Sequence, residues 1–307
     1  MLQDLVRTPI VGSPIELSVM SRLQTLAPAK VNLTLCVLAR RSDGYHDLSS
    51  LVAFADIGDA LALEPGTGFS LAARGPTAAG AGSPEHNLVR TAALAMQARI
   101  ERLKIGRFEL TKNLPAGAGL GGGSADAAAA LRLIAQANDL DLGDQRVMDA
   151  ARATGADVPV CVESAARLMH GVGDVLSSPL DLPKLDAVLV FPGVPIATKD
   201  VFGNFTLVAG PRRKARYEES EIPRERLALL DYLAREANDL ELAARLVAPV
   251  ISEAKDLVGD SDARVVRMSG SGSAVFALYE NASLAKRAAA KIKKRRPGWW
   301  CVQTVLR

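Results

Sequence analysis

The 307-residue sequence is poor in cysteine and has no long apolar run. Cys36, Cys161 and Cys301 are far apart and odd in number, which argues against a disulfide framework and offers no Cys-x-x-Cys pair for a metal. A reducing cytoplasm fits that usage. No stretch reaches the roughly 18 to 20 apolar residues that span a bilayer. The N-terminus also lacks a basic region followed by an apolar core, so a soluble, unexported chain is expected. Charge of one sign is scarce too, with a formal net charge of +3. Much of that excess lies in Lys291, Lys293, Lys294, Arg295 and Arg296, at the end of a helical pattern starting at Ser283. Cations suit a helix C-terminus, so a solvated helix face explains the run more simply than a nucleic-acid contact does. Internal repeats are missing.

What remains is a globular composition, 49% hydrophobic and 23% charged, with length for two modest domains. Val31, Leu33, Leu35 and Val37 alternate with Lys30, Asn32, Thr34 and Cys36, the period of a half-buried strand over Pro28 to Leu38, and place Lys30 and Asn32 on one face. Strands are expected at Ser50–Asp56, Ala60–Glu64, Phe69–Ala73 and Gly106–Thr111, and helices at Asn87–Arg102, Ser124–Ala137 and Gln145–Thr154. A hairpin near Arg167–Leu176 leads to a linker-like Ser177–Pro183. A second series follows: strands at Ala187–Phe191, Arg264–Met268, Ala274–Tyr279 and Trp300–Leu306, with helices at Arg226–Arg235, at Leu240–Leu257 and from Ser283. Strands mixed with helices, without strict βαβ alternation, make the expected class α+β. Residues 1–22 are loosely patterned and read as an N-terminal extension.

Residues 115 to 126 read Pro115-Ala116-Gly117-Ala118-Gly119-Leu120-Gly121-Gly122-Gly123-Ser124-Ala125-Asp126. Five glycines let the backbone approach a ligand closely, and the helix after them offers free N–H groups and a positive dipole end. A polyphosphate suits such a site. A Walker loop needs Lys-Ser or Lys-Thr after the last glycine, and neither is present. Gly117, Gly119 and Gly122 match a dinucleotide fingerprint in form. Asp139 and Asp141, however, end the same helix rather than a second strand. Ser269-Gly270-Ser271-Gly272-Ser273 is a second glycine-serine turn, either a plain hairpin or a wall for the first loop.

Asp157, in Gly155-Ala156-Asp157-Val158-Pro159, is either a turn-making carboxylate or a base that takes the proton of an attacking hydroxyl. Lys30 is either a solvated edge lysine or a cation that faces Asp157 and a transferring phosphoryl group. Tyr45 and His46, after Gly44, are either loop surface or a pair that recognises a base by stacking and hydrogen bonding.

Together these residues resemble the GHMP kinase superfamily. Its phosphate loop is of the Pro-x3-Gly-Leu-Gly-Ser-Ser type, and residues 115 to 126 are similar, with Gly-Gly-Gly-Ser replacing the serine-rich end. More narrowly, Pro28-Ala29-Lys30-Val31-Asn32-Leu33, Gly44-Tyr45-His46-Asp47-Leu48, the loop continued through Ala128, and Gly155 to Pro159 follow the order of one branch. That branch phosphorylates the 2-hydroxyl of a diphosphocytidyl-linked methylerythritol, a step of the non-mevalonate isoprenoid pathway. Met268 to Ser273 resembles the superfamily's third motif, and the likeness spans about residues 26 to 280.

The resemblance implies a ribosomal-protein-S5-like domain over 23–178, a ferredoxin-like domain over 184–307, and an active-site cleft between them. It implies ATP on Pro115 to Ser124 and a catalytic pair of Lys30 and Asp157, with Asp157 as base. His46 would read the cytosine edge, Tyr45 would stack on the ring, and Asn32 would touch the acceptor side. Phe202, with Thr198 beside it, is similar to the aromatic that closes the other ring face. Where relatives can carry a basic residue after that aromatic, this chain has Gly203. Mg2+ is expected with ATP; no acidic cluster names its ligands, and Ser124 is a candidate. The expected partner is a small-molecule cytidine diphosphate sugar alcohol, with no nucleic acid or membrane, bound by a monomer or weak homodimer. A homoserine or mevalonate type of kinase and an S5-like nucleic-acid binder are the alternatives.

Overall fold

The computed structural model describes residues 22–206 and 217–307, so the expected extension over 1–22 lies outside the described residues apart from Arg22. The first half runs β1 (Leu23–Asn32), β2 (Cys36–Arg40), β3 (His46–Glu64), β4 (Phe69–Arg74), α1 (Leu88–Gln97), β5 (Gly106–Thr111), α2 (Gly122–Ala137), α3 (Gln145–Thr154), α4 (Val158–Glu163), β6 (Arg167–Gly171) and β7 (Val175–Leu176). The second half runs β8 (Leu185–Phe191), α5 (Thr198–Asn204), α6 (Arg226–Arg235), α7 (Glu241–Val247), α8 (Val250–Gly259), β9 (Val265–Met268), β10 (Val275–Tyr279), α9 (Ala282–Arg295) and β11 (Trp300–Leu306). Mixed strands and helices make the class α+β, as the element order implied.

One strand organises the sheet. Asp56-Ile57-Gly58-Asp59 reads as a turn, yet β3 runs unbroken for 19 residues through it. The reason is tertiary: β1 pairs with β3 from Leu23↔Leu63 to Asn32↔Val52, with a register shift between Pro28 and Lys30. Gly58 permits the contact, since a Cβ there would lie 2.1 Å from the Ala27 carbonyl oxygen. β2, β5 and β6 also pair with β3, and the path continues β4-β5-β3-β11-β8-β10-β9. Only β4 and β5 run parallel among the described strand pairs. β11 meets β3 at Leu306↔Ala55, which joins the two halves through the sheet.

The helices α1 to α4 cover one face, where Phe54, Leu61 and Leu63 pack with Val89, Met96, Leu131, Ile134 and Val160. A second cluster joins Leu33, Leu51 and Leu168 to Leu189, Phe276 and Leu230 across the halves. Leu180 and Leu182, inside the linker-like stretch, are buried in that cluster. The expected strand Pro28–Leu38 is divided into β1 and β2, because Leu33 and Thr34 both donate to the Leu51 carbonyl and Leu35 bonds instead to residues 237 and 239. The expected helix Leu240–Leu257 is also divided. Pro249, with no N–H to continue α7, serves as the N-cap of α8. At the end of α9 the basic run is partly paired on the surface, with Arg296 Nε 2.6 Å from Glu253 and Arg295 3.5 Å from Asp260.

Candidate active site

The glycine loop is a clamped backbone arch. Gly117, Gly119 and Gly121 have φ of +65°, +76° and +64°, the left-handed region that side chains disfavour. Its carbonyls are taken from three directions: Lys30 N–H donates to Leu120 O at 2.9 Å, Ala274 N–H to Ala118 O at 2.8 Å, and Ile196 N–H to Gly117 O at 3.2 Å. Ser269 adds its hydroxyl to Gly119 O at 2.9 Å. With those carbonyls turned away, the N–H groups at the start of α2 are left for a ligand. α2 begins at Gly122, two residues before the expected start, so the last two glycines form its first turn. The second glycine-serine turn is therefore a wall of the first. A Cβ on Gly119 would sit 2.5 Å from Ser269 O and 2.8 Å from Gly272 N. Gly119→Ala is expected to lose about 1–3 kcal/mol of stability from that strain. It should also raise the KM for ATP more than that for the acceptor, as read by urea unfolding and steady-state kinetics.

Lys30 projects from β1 beneath this arch. It is only 3% exposed, so it is not a solvated edge lysine. Its Nζ lies 2.9 Å from Asp157 Oδ2, and the Asp157 side chain is 41% exposed. Asp157 occupies the N-cap position of α4 without making a capping hydrogen bond, which leaves its carboxylate to Lys30 and the open space. Cys161, one turn into α4, is pushed up to about 12 by burial and stays an inert thiol. Asn32, two residues after Lys30, donates from Nδ2 to Ser50 Oγ at 2.8 Å, and its backbone N–H donates to Ser269 Oγ at 3.2 Å.

Across the opening, His46 at the head of β3 stacks on Phe202 of α5, with ring centroids 4.6 Å apart at 20°. Phe205 meets the same imidazole edge-on at 6.3 Å. Burial, with the charge of Arg40 adding to it, holds the His46 pKa below its ordinary value, so the ring is neutral at pH 7 and keeps one donor and one acceptor nitrogen. Tyr45 is 63% exposed beside it. Thr198 Oγ1 and Ser271 Oγ share a hydrogen bond at 3.0 Å, tying α5 to the second glycine-serine turn. Every candidate residue named from the sequence lines one cavity of about 1210 Å³. A pocket for one small ligand runs roughly 300–1,000 Å³, and this cavity is larger than that range.

Sequence reasoning missed the charged group under the loop. Lys112, 4% exposed, is ion-paired with both Asp59 and Asp126, the latter at 2.7 Å. Asp59 also accepts the N–H groups of Asn113 at 2.5 Å and Leu114 at 2.8 Å. Asp126 lacks such help; its Oδ1 is buried without a hydrogen-bond partner among the described residues. Burial above all, with Asp59's charge adding and Lys112 pulling back, raises the Asp126 pKa to about 7. Burial alone would lower Lys112, but its two carboxylates outweigh that and raise it. One ammonium thus serves two acids at the first turns of α2. The sole signal in the sequence was an acidic residue inside an alanine-rich helix.

Comparison with known proteins follows the same division. The model of the GHMP kinases N terminal domain matches residues 87–165, and that of the GHMP kinases C terminal matches 219–297. The chain is 48% identical to 4-diphosphocytidyl-2-C-methyl-D-erythritol kinase of Azorhizobium caulinodans, over 94% of this chain and 100% of that protein. It is 49% identical to the protein of the same name from Xanthobacter autotrophicus, with the same coverage. Among solved structures, a 4-(cytidine 5'-diphospho)-2C-methyl-D-erythritol kinase aligns with a TM-score of 0.71 at 34% identity, over 92% of this chain and 99% of that one. Homoserine kinase from Cytophaga hutchinsonii, at 21% identity and a TM-score of 0.68 over 92% of this chain and 94% of that one, shares the fold. The chain belongs to the GHMP kinases, in the family of 4-diphosphocytidyl-2-C-methyl-D-erythritol kinases.

Proposed function

We propose that this ATP-dependent small-molecule kinase transfers the γ-phosphoryl group of ATP to the 2-hydroxyl of 4-diphosphocytidyl-2-C-methyl-D-erythritol. The observation that carries the reading is the Lys30–Asp157 pair, 2.9 Å apart in the same cavity as the glycine loop and the His46–Phe202 rings. Phosphoryl transfer asks the protein mainly for positioning and charge stabilisation. The N–H groups at the start of α2 bind the polyphosphate. Asp157 accepts the proton of the attacking hydroxyl, and the ammonium of Lys30 balances negative charge on the transferring group. Asn32, fixed by Ser50 and Ser269, borders the acceptor.

At the far end His46 reads the cytosine edge, with Tyr45 and Phe202 on the ring faces. Insertion of the base between those two requires His46 and Phe202 to part. His46→Ala is expected to raise the KM for the cytidine substrate about 5- to 100-fold, from the roughly 1–3 kcal/mol that an unsatisfied partner on the base would cost. The KM for ATP should stay within a few fold. An acceptor KM that did not move would remove His46 from base recognition.

Mg2+ neutralises charge on the ATP phosphates in such reactions. No group of three or more His, Cys, Asp or Glu that could hold a metal occurs among the described residues. An ion that is held mostly by phosphates and water needs only one or two protein oxygens. The Ser124 hydroxyl, on the first turn of α2 and lining the cavity, fits that demand.

We take 23–178 as an S5-like domain and 184–307 as a ferredoxin-like one. We also take the enzyme to act as a monomer or weak homodimer. No helix among the described residues is long and apolar enough to cross a membrane. A cytoplasmic, reducing setting suits three free cysteines. The test is ADP release from Mg-ATP with diphosphocytidyl-methylerythritol, homoserine and mevalonate in parallel. Turnover confined to the cytidine compound is expected; turnover with another acceptor would keep the family and overturn the substrate.

A further inference from the structure

Lys30, Arg40, Lys112 and Lys199 line the cavity, Arg41 and Arg267 stand close to lining residues in the chain, and the six divide by their partners. Lys30 is matched by Asp157, and Lys112 by Asp59 and Asp126. Arg41 lies 3.2 Å from Asp43 and 3.5 Å from Asp47. Arg267 is spent on the carbonyls of Leu33, Leu233 and Glu236. Arg40 and Lys199 alone line the cavity without an acidic partner or a hydrogen bond among the described residues.

Their placement relative to the ring pair is specific. Arg40 is the direct cross-strand partner of His46 in the β2–β3 ladder, and close enough that its charge lowers the imidazole pKa. Lys199 precedes Phe202 by three positions on α5, so the two side chains share one side of that helix. Each member of the ring pair therefore has one unmatched cation beside it. Gly203, next to Phe202, brings no charge, and with φ outside the left-handed region it needs no glycine for its backbone.

We infer that Arg40 and Lys199 form a two-sided clamp for the diphosphate of the acceptor, where the substrate chain passes from the ring pair toward Asp157. This rests on the proposed cytidine substrate. A linear diphosphate diester carries two negative charges and requires two cations once it leaves water. Arg40 offers a planar fork for paired phosphate oxygens and Lys199 a mobile point charge. The clamp selects acceptors in which a diphosphate joins the base to the reacting alcohol, and rejects a bare nucleoside or a small polar alcohol.

The test is competition against the diphosphocytidyl substrate by CDP and by cytidine, in wild type, in Arg40→Gln, in Lys199→Gln and in the double variant. Wild type should bind CDP at least about 10-fold more tightly than cytidine, since a charge-assisted hydrogen bond exceeds a neutral one. The double variant should erase that ratio while the Ki of cytidine stays within about twofold. Its substrate KM should rise about 10-fold or more per cation lost and lose most of its dependence on salt. Arg40→Lys and Lys199→Arg should recover part of the ratio, which a merely structural role would not predict. An unchanged CDP-to-cytidine ratio in the double variant, or equal binding of both by wild type, overturns the clamp and leaves the proposed function standing. Failure of both ligands to compete, with no turnover of the cytidine compound, overturns the proposed function and the clamp with it.

Discussion

Asp157→Asn is expected to lower kcat at least about 10²-fold while the KM for ATP stays within about threefold, the range set by loss of a general base. The amide keeps the shape of the carboxylate and keeps an oxygen facing Lys30 Nζ, which lies 2.9 Å from Oδ2 in the parent. What it loses is the capacity to take a proton from the acceptor hydroxyl. Nothing of the glycine loop changes, because that loop is held by Lys30 N–H, Ala274 N–H, Ile196 N–H and the Ser269 hydroxyl, none of them from Asp157. Lys30 is buried and keeps only an amide oxygen as its partner, so the variant should also lose some stability, read as a lower unfolding midpoint in urea. Steady-state ADP release and a parallel urea titration separate the two effects. Turnover within a few fold of the parent, in a folded variant, would take Asp157 out of the chemistry.

The glycine loop was legible because its physics is local: five glycines between a strand signal and an alanine-rich helix can serve few other purposes. Lys30 and Asp157 were legible only as two alternatives each, since the residues between them hold the information about their approach. α4 was hidden because six residues give too few turns for apolar periodicity, and Val158, Val160 and Val162 read equally as a strand. α5 was hidden for the same reason, with Gly203 inside it. The unbroken course of β3 was hidden because Asp56 to Asp59 has turn chemistry. Pairing with β1, and the N–H groups that Asn113 and Leu114 send to Asp59, override that local preference. The stacking of His46 on Phe202 joins two elements from opposite halves of the chain, and no spacing rule reaches across them.

The Lys112 cluster joins residues from β3, the approach to the loop and α2, and its removal should have the largest effect on stability. Lys112→Met is expected to cost about 3–5 kcal/mol at pH 8, because it strands two buried carboxylates that shared one ammonium. That is a large part of the roughly 5–15 kcal/mol available to a folded domain. The pH dependence follows from the sign of the Asp126 shift. Its pKa is raised in the native state to about 7 against an ordinary 3.8, so between those values the native state holds a proton that the unfolded chain releases. Stability is therefore fully present below about pH 4 and declines as pH rises toward 7. Without Lys112 the Asp126 carboxyl must hold its proton to remain buried, so the cost to Lys112→Met should grow from pH 5 to pH 8. Adding Asp126→Asn removes one of the stranded charges and should recover part of the loss at pH 8 and little at pH 5. Urea unfolding of the three proteins at both pH values reads these differences directly. A cost below about 1 kcal/mol at pH 8 would mean that water reaches the carboxylates and that the cluster is not a buried ion group. Gly122 lies over the same ammonium, with its Cβ position 3.5 Å from Lys112 Nζ, so the first turn of α2 rests on it. Lys112→Met should therefore also raise the KM for ATP, and recovery of stability by Asp126→Asn without recovery of that KM would assign Lys112 a direct part in holding the nucleotide.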